Sequence, residues 1–421
     1  MSQPLLVGVD LGSSRIRFAM GQVTDIPDRG LSLSIVGAVD VPSHGISKGV
    51  VTELEDAVAA VSAAHEQAER QIGMPIEEAI VGIGGTHFTV ADAKGVVGVS
   101  RADREIRPDD VERAMQDAKG SVNPANYEIL HVLPHSFIVD GQAGIQDPVG
   151  MHGIRIEARA HLVLGLAGNV RNMTKCVFRT GMDISSLAFG AIPASIAVTS
   201  GRERELGVCI INIGAATTSV VVYENGELLH AIVLPIGGDH VTSDIAIGLR
   251  TSLDVAERIK IAHGNAVPDT YTKRDEVRLS DFGAQEDDVV TLRYVSEIIQ
   301  ARTEEIFEKV EAELRTIDRS GMLPAGAVLI GGGAKLAGSI VAAKNALRLP
   351  ATVGSANHIH TTMQEYTDDP AFSTAVGLVQ WGFDEMRKNI DSGNRRYGRT
   401  GAKMLGKIGA SIGKIFKSFV P

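Results

Sequence analysis

Two stretches of this chain carry the same device: an apolar run, a turn of small or polar residues, and a second apolar run. In the first, Leu5 to Val9 and Ile16 to Val23 flank Asp10-Leu11-Gly12-Ser13-Ser14. In the second, Gly207 to Tyr223 repeats the pattern around Asn212-Ile213-Gly214-Ala215-Ala216-Thr217-Thr218. Each reads as two β-strands joined by a glycine-containing turn. With helical periods in Thr52 to Ile72, Asp239 to Leu249, Leu253 to Ala262 and Val295 to Asp318, the duplicated hairpin predicts a two-lobed α/β protein. The 421 residues exceed a single small module, since a domain takes roughly 150.

Between Gly84 and Gly165 the texture changes. Phe88 to Val99 is strand-like, Arg107 to Lys119 opens as a helix with Pro and two Asp, and Glu128 to Val139 and Ile154 to Leu164 alternate polar with apolar. A small α+β unit is expected there. Asn169 to Arg179 reads as a helix, Ser185 to Leu187 as a short strand and Pro193 to Ser200 as another helix. Val328 to Ile330 reads as a buried strand running through Gly331 to Gly333 into a helix from Leu336. Asn389 to Ala402, polar and glycine-rich, reads as a flexible linker.

Composition narrows the class. Hydrophobic residues at 44% and charged residues at 22% supply material for cores and exclude wholesale disorder. Cys176 and Cys209 have no ligand spacing, so neither a disulfide framework nor a zinc site is expected. No run approaches the roughly 20 apolar residues of a membrane span, and the start lacks a signal-peptide core; a reducing, cytoplasmic setting is expected. The net charge of −10 argues against nucleic-acid binding. Yet seven of the 41 basic residues, and none of the 51 acidic ones, follow Asp391. On a helical wheel Leu405, Ile408, Ile412, Ile415, Phe416 and Phe419 fall with Met404 within an arc of about 120°, and Lys403, Lys407, Lys414 and Lys417 within about 80° opposite. A large-residue apolar stripe facing lysines suits a helix lying in the plane of an anionic membrane surface. Glycines at 406, 409 and 413 make it a poor helix in water.

The turns carry candidate chemistry. Anions are held where backbone N–H groups converge without side chains in the way. Gly12, Ser13 and Ser14 meet that need, with Arg15 or Arg17 adding charge and Asp10 placed to hold magnesium through water. The second turn offers Gly214 for close approach and the hydroxyls of Thr217 and Thr218. Gly331-Gly332-Gly333-Ala334 has the form of a backbone platform for the adenosine end of a nucleotide. Any one of these is more often a plain turn, but three in this order point to one site. His131 and His135, at i, i+4 on a strand with no Cys or third His nearby, read as structural.

In these three elements, and in Asp369-Pro370-Ala371-Phe372-Ser373-Thr374-Ala375-Val376-Gly377-Leu378, the chain resembles the actin, Hsp70 and sugar-kinase superfold. Within it the chain is similar to the bacterial cell-division actins of the FtsA family. The most specific residues are His131-Val132-Leu133-Pro134, Asp147-Pro148-Val149-Gly150-Met151 and Glu157-Ala158, which look like that family's 1C subdomain. Val241 to Ala246 and Ala256-Glu257-Arg258-Ile259-Lys260 match too. The resemblance implies subdomain 1A at 1–83, 164–200 and 361–388, 1C at 84–163, 2A at 201–235 and 324–360, and 2B at 236–323, followed by a linker (389–402) and a membrane helix (403–421).

By the same resemblance, ATP and Mg fall to Asp10, Gly12, Ser13, Ser14, Arg15, Asn212, Gly214, Thr217, Thr218, Glu257, Lys260, Gly331, Gly332, Gly333, Ala334 and Leu336. Subdomain 2B would receive the C-terminal peptide of the tubulin-like ring protein FtsZ, with Arg302 and Lys309 as candidates, and 1C would meet later division proteins. Self-association into actin-like filaments on the cytoplasmic face of the inner membrane, at the septum, is also implied. The chain departs from the superfold where Asn212 replaces the usual phosphate-2 Asp and Ala215 and Ala216 replace glycines. A neutral amide lacks a carboxylate's charge for magnesium, so weak or absent ATPase is expected. The alternative on this superfold is a pilus-assembly platform of the PilM type. A sugar or acetate kinase is disfavoured by the missing acid and by the tail.

Overall fold

Each predicted hairpin is extended by a third antiparallel strand absent from the sequence reading. The computed structural model describes residues 4–26, 30–122, 124–356, 359–361 and 363–391; the predicted membrane helix and the linker beyond Asp391 lie outside the described residues.

In the first lobe β1 (Leu5–Leu11), β2 (Arg15–Ile26) and β3 (Gly30–Pro42) form a meander. Helix α1 (Leu54–Ile72) crosses back, closed by Gly73 in the left-handed region at φ 74°, and β4 (Glu78–Ile83) enters parallel to β1. An insertion follows: β5 (Phe88–Gly98), α2 (Pro108–Ser121), β6 (Tyr127–Val139), β7 (Gln142–Ile145) and β8 (Arg155–Leu166). Helix α3 (Ala167–Phe178) returns the chain to β9 (Asp183–Phe189), parallel to β4. Helix α4 (Ala191–Val198) leads to the second lobe: β10 (Val208–Ile213), β11 (Thr218–Glu224), β12 (Glu227–Leu234), α5 (Gly238–Leu249), α6 (Leu253–His263), α7 (Leu292–Thr316), β13 (Ala327–Ile330), α8 (Ser339–Leu347) and β14 (Ala351–Val353). Helix α9 (Ser373–Asp391) packs back on the first lobe.

The sheets run β9-β4-β1-β2-β3 and β12-β11-β10-β13-β14, the same order in both lobes, with the two-residue strand His360–Thr361 added beside β3. The internal repeat is therefore topological, not only a repeated turn. The first strand of each lobe has a parallel and an antiparallel neighbour. Both faces of such a central strand are covered, which is why Leu5 to Val9 and Val208 to Ile211 are continuous apolar runs. The inserted unit folds as its own sheet, β5-β8-β6-β7, with α2 on one face.

Ala19 and Ile35 on the sheet face toward α9 and Ala375, Val376 and Val379 on α9 itself are all wholly buried in one cluster. That burial anchors α9, and it positions Thr374 at the helix start between the lobes. Two boundaries differ from expectation. The helix predicted from Leu336 begins at Ser339, because Gly332–Lys335 coil into a 3-10 turn and Ala337 bridges to Asn265 first. Helix α9 continues through Asp391, so residues 389–391 of the predicted linker are helical.

Candidate functional site

The two hairpin turns have matching geometry. Asp10 lies opposite Arg17 and Asn212 opposite Ser219. In the first turn the Gly12 N–H donates to the Arg15 carbonyl at 3.1 Å, and in the second the Gly214 N–H donates to the Thr217 carbonyl at 2.9 Å. Position by position, Asp10 answers to Asn212, Gly12 to Gly214, Ser13 to Ala215, Ser14 to Ala216 and Arg15 to Thr217. Ser13 is half-buried, while Ser14 and Arg15 are exposed. Thr218 corrects one expectation: it is fully buried, and its hydroxyl donates to the Ile236 carbonyl at 2.8 Å. It pins the sheet and is not free for a ligand.

Asp10 is the charged group of the first turn. Burial pushes its carboxyl up to about 6, with Arg17 opposing and Asp40 adding to the rise. Arg17 is shared with Asp40 at 3.5 Å and sits 5.6 Å from the Phe372 ring centre. A carboxylate whose ionisation burial disfavours is one that a bound cation would stabilise, so Asp10 fits the magnesium role. Among the described residues no cluster of three or more His, Cys, Asp or Glu is placed to hold a metal.

In the second lobe the start of α5 is fastened to the turn. The Gly238 N–H donates to the Gly214 carbonyl at 2.9 Å and the Asp239 N–H to the Ala215 carbonyl at 2.8 Å. Lys260, on α6, donates to the Gly238 carbonyl at 3.2 Å and the Thr242 hydroxyl at 2.7 Å, and stands 2.6 Å from Glu257 Oε2. Thr242 also donates to Glu257. Glu257 and Lys260, predicted together, thus meet beside the second turn. Burial raises the Asp239 carboxyl, Lys260 lowers it and Glu257 raises it. Asp239 and Thr242 join this cluster without having been candidates in the sequence; the available signal was Gly237-Gly238-Asp239 immediately before a helical period.

The glycine platform abuts the second turn. Gly331 has φ 84°, its N–H donates to the Pro370 carbonyl at 2.9 Å, and a Cβ there would press on the Asn212 side chain and lie 2.5 Å from the Ile213 carbonyl oxygen. Gly332 is exposed and a Cβ there would meet nothing within 4 Å; packing does not require glycine at 332, whereas approach of a ligand to its backbone would. Gly333 leans on Ile213, Ala334 is buried, and Leu336 packs against the α5–α6 core. Lys335 pairs with Asp369 at 2.8 Å. Asn212 donates to the Thr374 hydroxyl at 3.3 Å. The structure therefore brings Asn212, Gly214, Thr217, Glu257, Lys260 and residues 331–336 to one end of the second lobe, and sets Asp10 to Arg15 at the equivalent end of the first.

The two partner candidates are already engaged. Arg302 is held by both oxygens of Asp244, at 2.5 and 2.9 Å, and also pairs with Glu305. Lys309 lies 3.4 Å from Glu305. The histidine pair separates: His131 accepts from the Phe189 N–H at 3.0 Å and packs on Trp381, whereas His135 turns toward Glu227 of the second lobe at 3.0 Å.

Comparison with known proteins gives the chain's family and fold. Residues 209–377 match the sequence profile described as Cell division protein FtsA, and residues 85–164 match the SHS2 domain inserted in FTSA. Curated proteins named Cell division protein FtsA are similar over most of their length: that of Bacillus subtilis is 37% identical, covering 90% of this chain and 83% of the relative. That of Escherichia coli is 33% identical, covering 90% of both. Among solved structures, the PilM-PilN type IV pilus biogenesis complex aligns with a TM-score of 0.63 at 15% identity, covering 90% of this chain and 98% of that chain. ADP-bound MreB5 of Spiroplasma citri aligns with a TM-score of 0.54 at 12% identity, covering 93% and 100%. At such identities these two share the fold, which is actin-like.

Proposed function

The chain belongs to the FtsA family of cell-division proteins, and from that premise we propose that it is an ATP-binding, actin-like adaptor that tethers FtsZ to the cytoplasmic face of the cell membrane at the division septum. The observation that carries the nucleotide part is the pair of equivalent turns, one with Asp10 and one with Asn212, together with a glycine platform whose Gly332 is open. The first turn, the Gly214 turn and the start of α5 would hold the phosphates, Asp10 a magnesium ion through water, and Gly331 to Leu336 with Glu257 and Lys260 the adenosine end. Magnesium, when bound, would neutralise phosphate charge.

ATPase activity is weak or absent in this reading, because Asn212 brings no charge to the second turn. Nucleotide would act by biasing the relative positions of the lobes, and with them the contacts between copies in a filament. The supporting feature for membrane attachment is the lysine-faced amphipathic sequence after Lys403. FtsZ would meet the 2B subdomain (236–323), and later division proteins the inserted unit. A pilus-type platform has in its favour only a likeness of fold.

The test is co-sedimentation of purified FtsZ with anionic liposomes, using the full chain and a truncation after Asp391. FtsZ should pellet only with the full chain. If the chain pellets while FtsZ stays in the supernatant, the tether role fails.

A further inference from the structure

The inserted unit is rooted in the first lobe yet also leans on the second. Its chain enters after Ile83 through Gly84-Gly85, where Gly85 has φ 141°, and leaves into α3. One strand, β6, touches both lobes. His131 accepts the Phe189 N–H at 3.0 Å and meets the ring of Trp381 edge-on, with centroids 5.4 Å apart. Phe189 ends β9, directly before the helix that leads to the second lobe, and Trp381 lies on the helix that follows the return. Those two helices are pressed together: a Cβ on Gly377 of α9 would lie 2.4 Å from the Pro193 carbonyl oxygen of α4. His131 therefore rests on both crossings between the lobes.

Four residues on, the same strand meets the second lobe. His135 has no partner in β8, because Arg159 pairs with Ser136 and Ala160 with Pro134, and a bulge of this kind re-aims a side chain. Its Nδ1 stands 3.0 Å from Glu227 Oε2 of β12, out of line for a hydrogen bond. Just beyond β7, Gln146 donates to the Asn225 carbonyl at 3.2 Å. Beside these contacts β5 and β12 line a cavity of about 730 Å³. The two attachments differ in kind. At the root Phe88 and Phe189 are buried with their rings 5.1 Å apart, and close packing holds one arrangement. At the seam a cavity and two polar contacts between exposed or half-exposed groups fix no single spacing.

We propose that β6 is a strap between the lobes: His131 carries the inserted unit with the two crossings, and the seam at His135–Glu227 and Gln146–Asn225 is a clasp that lobe movement opens or closes. The orientation of the inserted unit then follows the nucleotide state. This rests on the nucleotide reading above, which supplies the movement. Coupling between two sites is reciprocal, so a clasp held closed must alter ATP affinity in the same sense as ATP alters the clasp.

The experiment uses the full chain carrying His135→Cys and Glu227→Cys, before and after bridging by a short bis-maleimide. Cys176 and Cys209 are buried, so the introduced thiols are the ones that react under native conditions. Calorimetry gives ATP affinity, the bridging rate follows the closed fraction, and emission from Trp381, the chain's one tryptophan, reports on the His131 contact. ATP should change the bridging rate, and the bridge should change ATP affinity, each by about fivefold and in matching directions; bridging should also alter Trp381 emission. Gln146→Ala, at an exposed position, loosens the clasp without touching a core. It should shift ATP affinity the opposite way with the thermal midpoint unchanged. If ATP binds equally with and without the bridge and leaves the bridging rate unmoved, the strap is overturned while the nucleotide reading stands. If ATP binds neither the unbridged variant nor the wild type, the nucleotide reading fails and the strap with it.

Discussion

The Asn212 amide donates to the hydroxyl of Thr374 across 3.3 Å, joining the first strand of the second lobe to the helix that packs against the first. Asn212 stands where the first lobe has Asp10, and it is used as a latch between lobes. Replacing it by Asp removes a donor but adds a charge where magnesium and water would lie. Asn212→Asp should raise ATP turnover by about tenfold while leaving the fold intact, since the Thr374 hydroxyl can donate in turn. Equal turnover in steady-state phosphate release would show that Asn212 does not limit hydrolysis.

Two adjacent glycines separate packing from binding. Gly331→Ala forces a side chain into the left-handed region and against Ile213, at a cost of about 2 kcal/mol or more. Gly332→Ala meets no protein atom, so its melting temperature should match the wild type while ATP affinity drops. Calorimetry and nucleotide titration on the pair check both halves, and unchanged affinity in Gly332→Ala would remove the platform from the site.

Lys260 ties the Gly238 carbonyl, Thr242 and Glu257 together. Its loss should weaken nucleotide binding and leave Glu257 with only the Thr242 hydroxyl as partner. For Lys260→Met we expect at least a tenfold loss of ATP affinity and a stability loss of about 1 to 2 kcal/mol, measured by titration and urea unfolding.

His131 gives a pH dependence with a definite sign. Burial pulls its imidazole down to about 4, and its ring nitrogen accepts the Phe189 N–H. Protonation forfeits that bond. In the unfolded chain the ring titrates near 6.5, so the unfolded state takes up protons first as pH falls. The contribution is fully present above about 6.5 and is lost progressively toward pH 4. Urea unfolding at pH 7.5 and 5 should show a decline to which His131 contributes about 2 kcal/mol, and His131→Gln should remove that share. His87, held near 4 by burial, acts in the same direction, so the variant should flatten the decline only in part.

The hairpins and the platform were legible because their signals are local: a turn glycine, small neighbours and apolar runs on either side. Strands β3 and β12 lie outside the repeated turn, so the hairpin motif alone does not reveal them, although Leu31, Leu33 and Ile35 alternate with Ser. Glu257 and Lys260 entered through family likeness; nothing in their spacing says that Lys260 reaches the Gly238 carbonyl or Glu257 the Thr242 hydroxyl. Thr218 was read as a ligand group because a hydroxyl beside a glycine turn looks available, and strand alternation turned it inward instead.

The residues alone determined the two-lobed α/β architecture, the inserted unit and the glycine turns at the strand ends, because periodicity and turn chemistry act over a few residues. Only the tertiary structure decided that both lobes share one strand order, that Asn212 latches onto Thr374, and that Arg302 is spent on Asp244. Those pairings join positions far apart in the chain. Their partners are chosen by sheet register and helix packing, which no local pattern encodes.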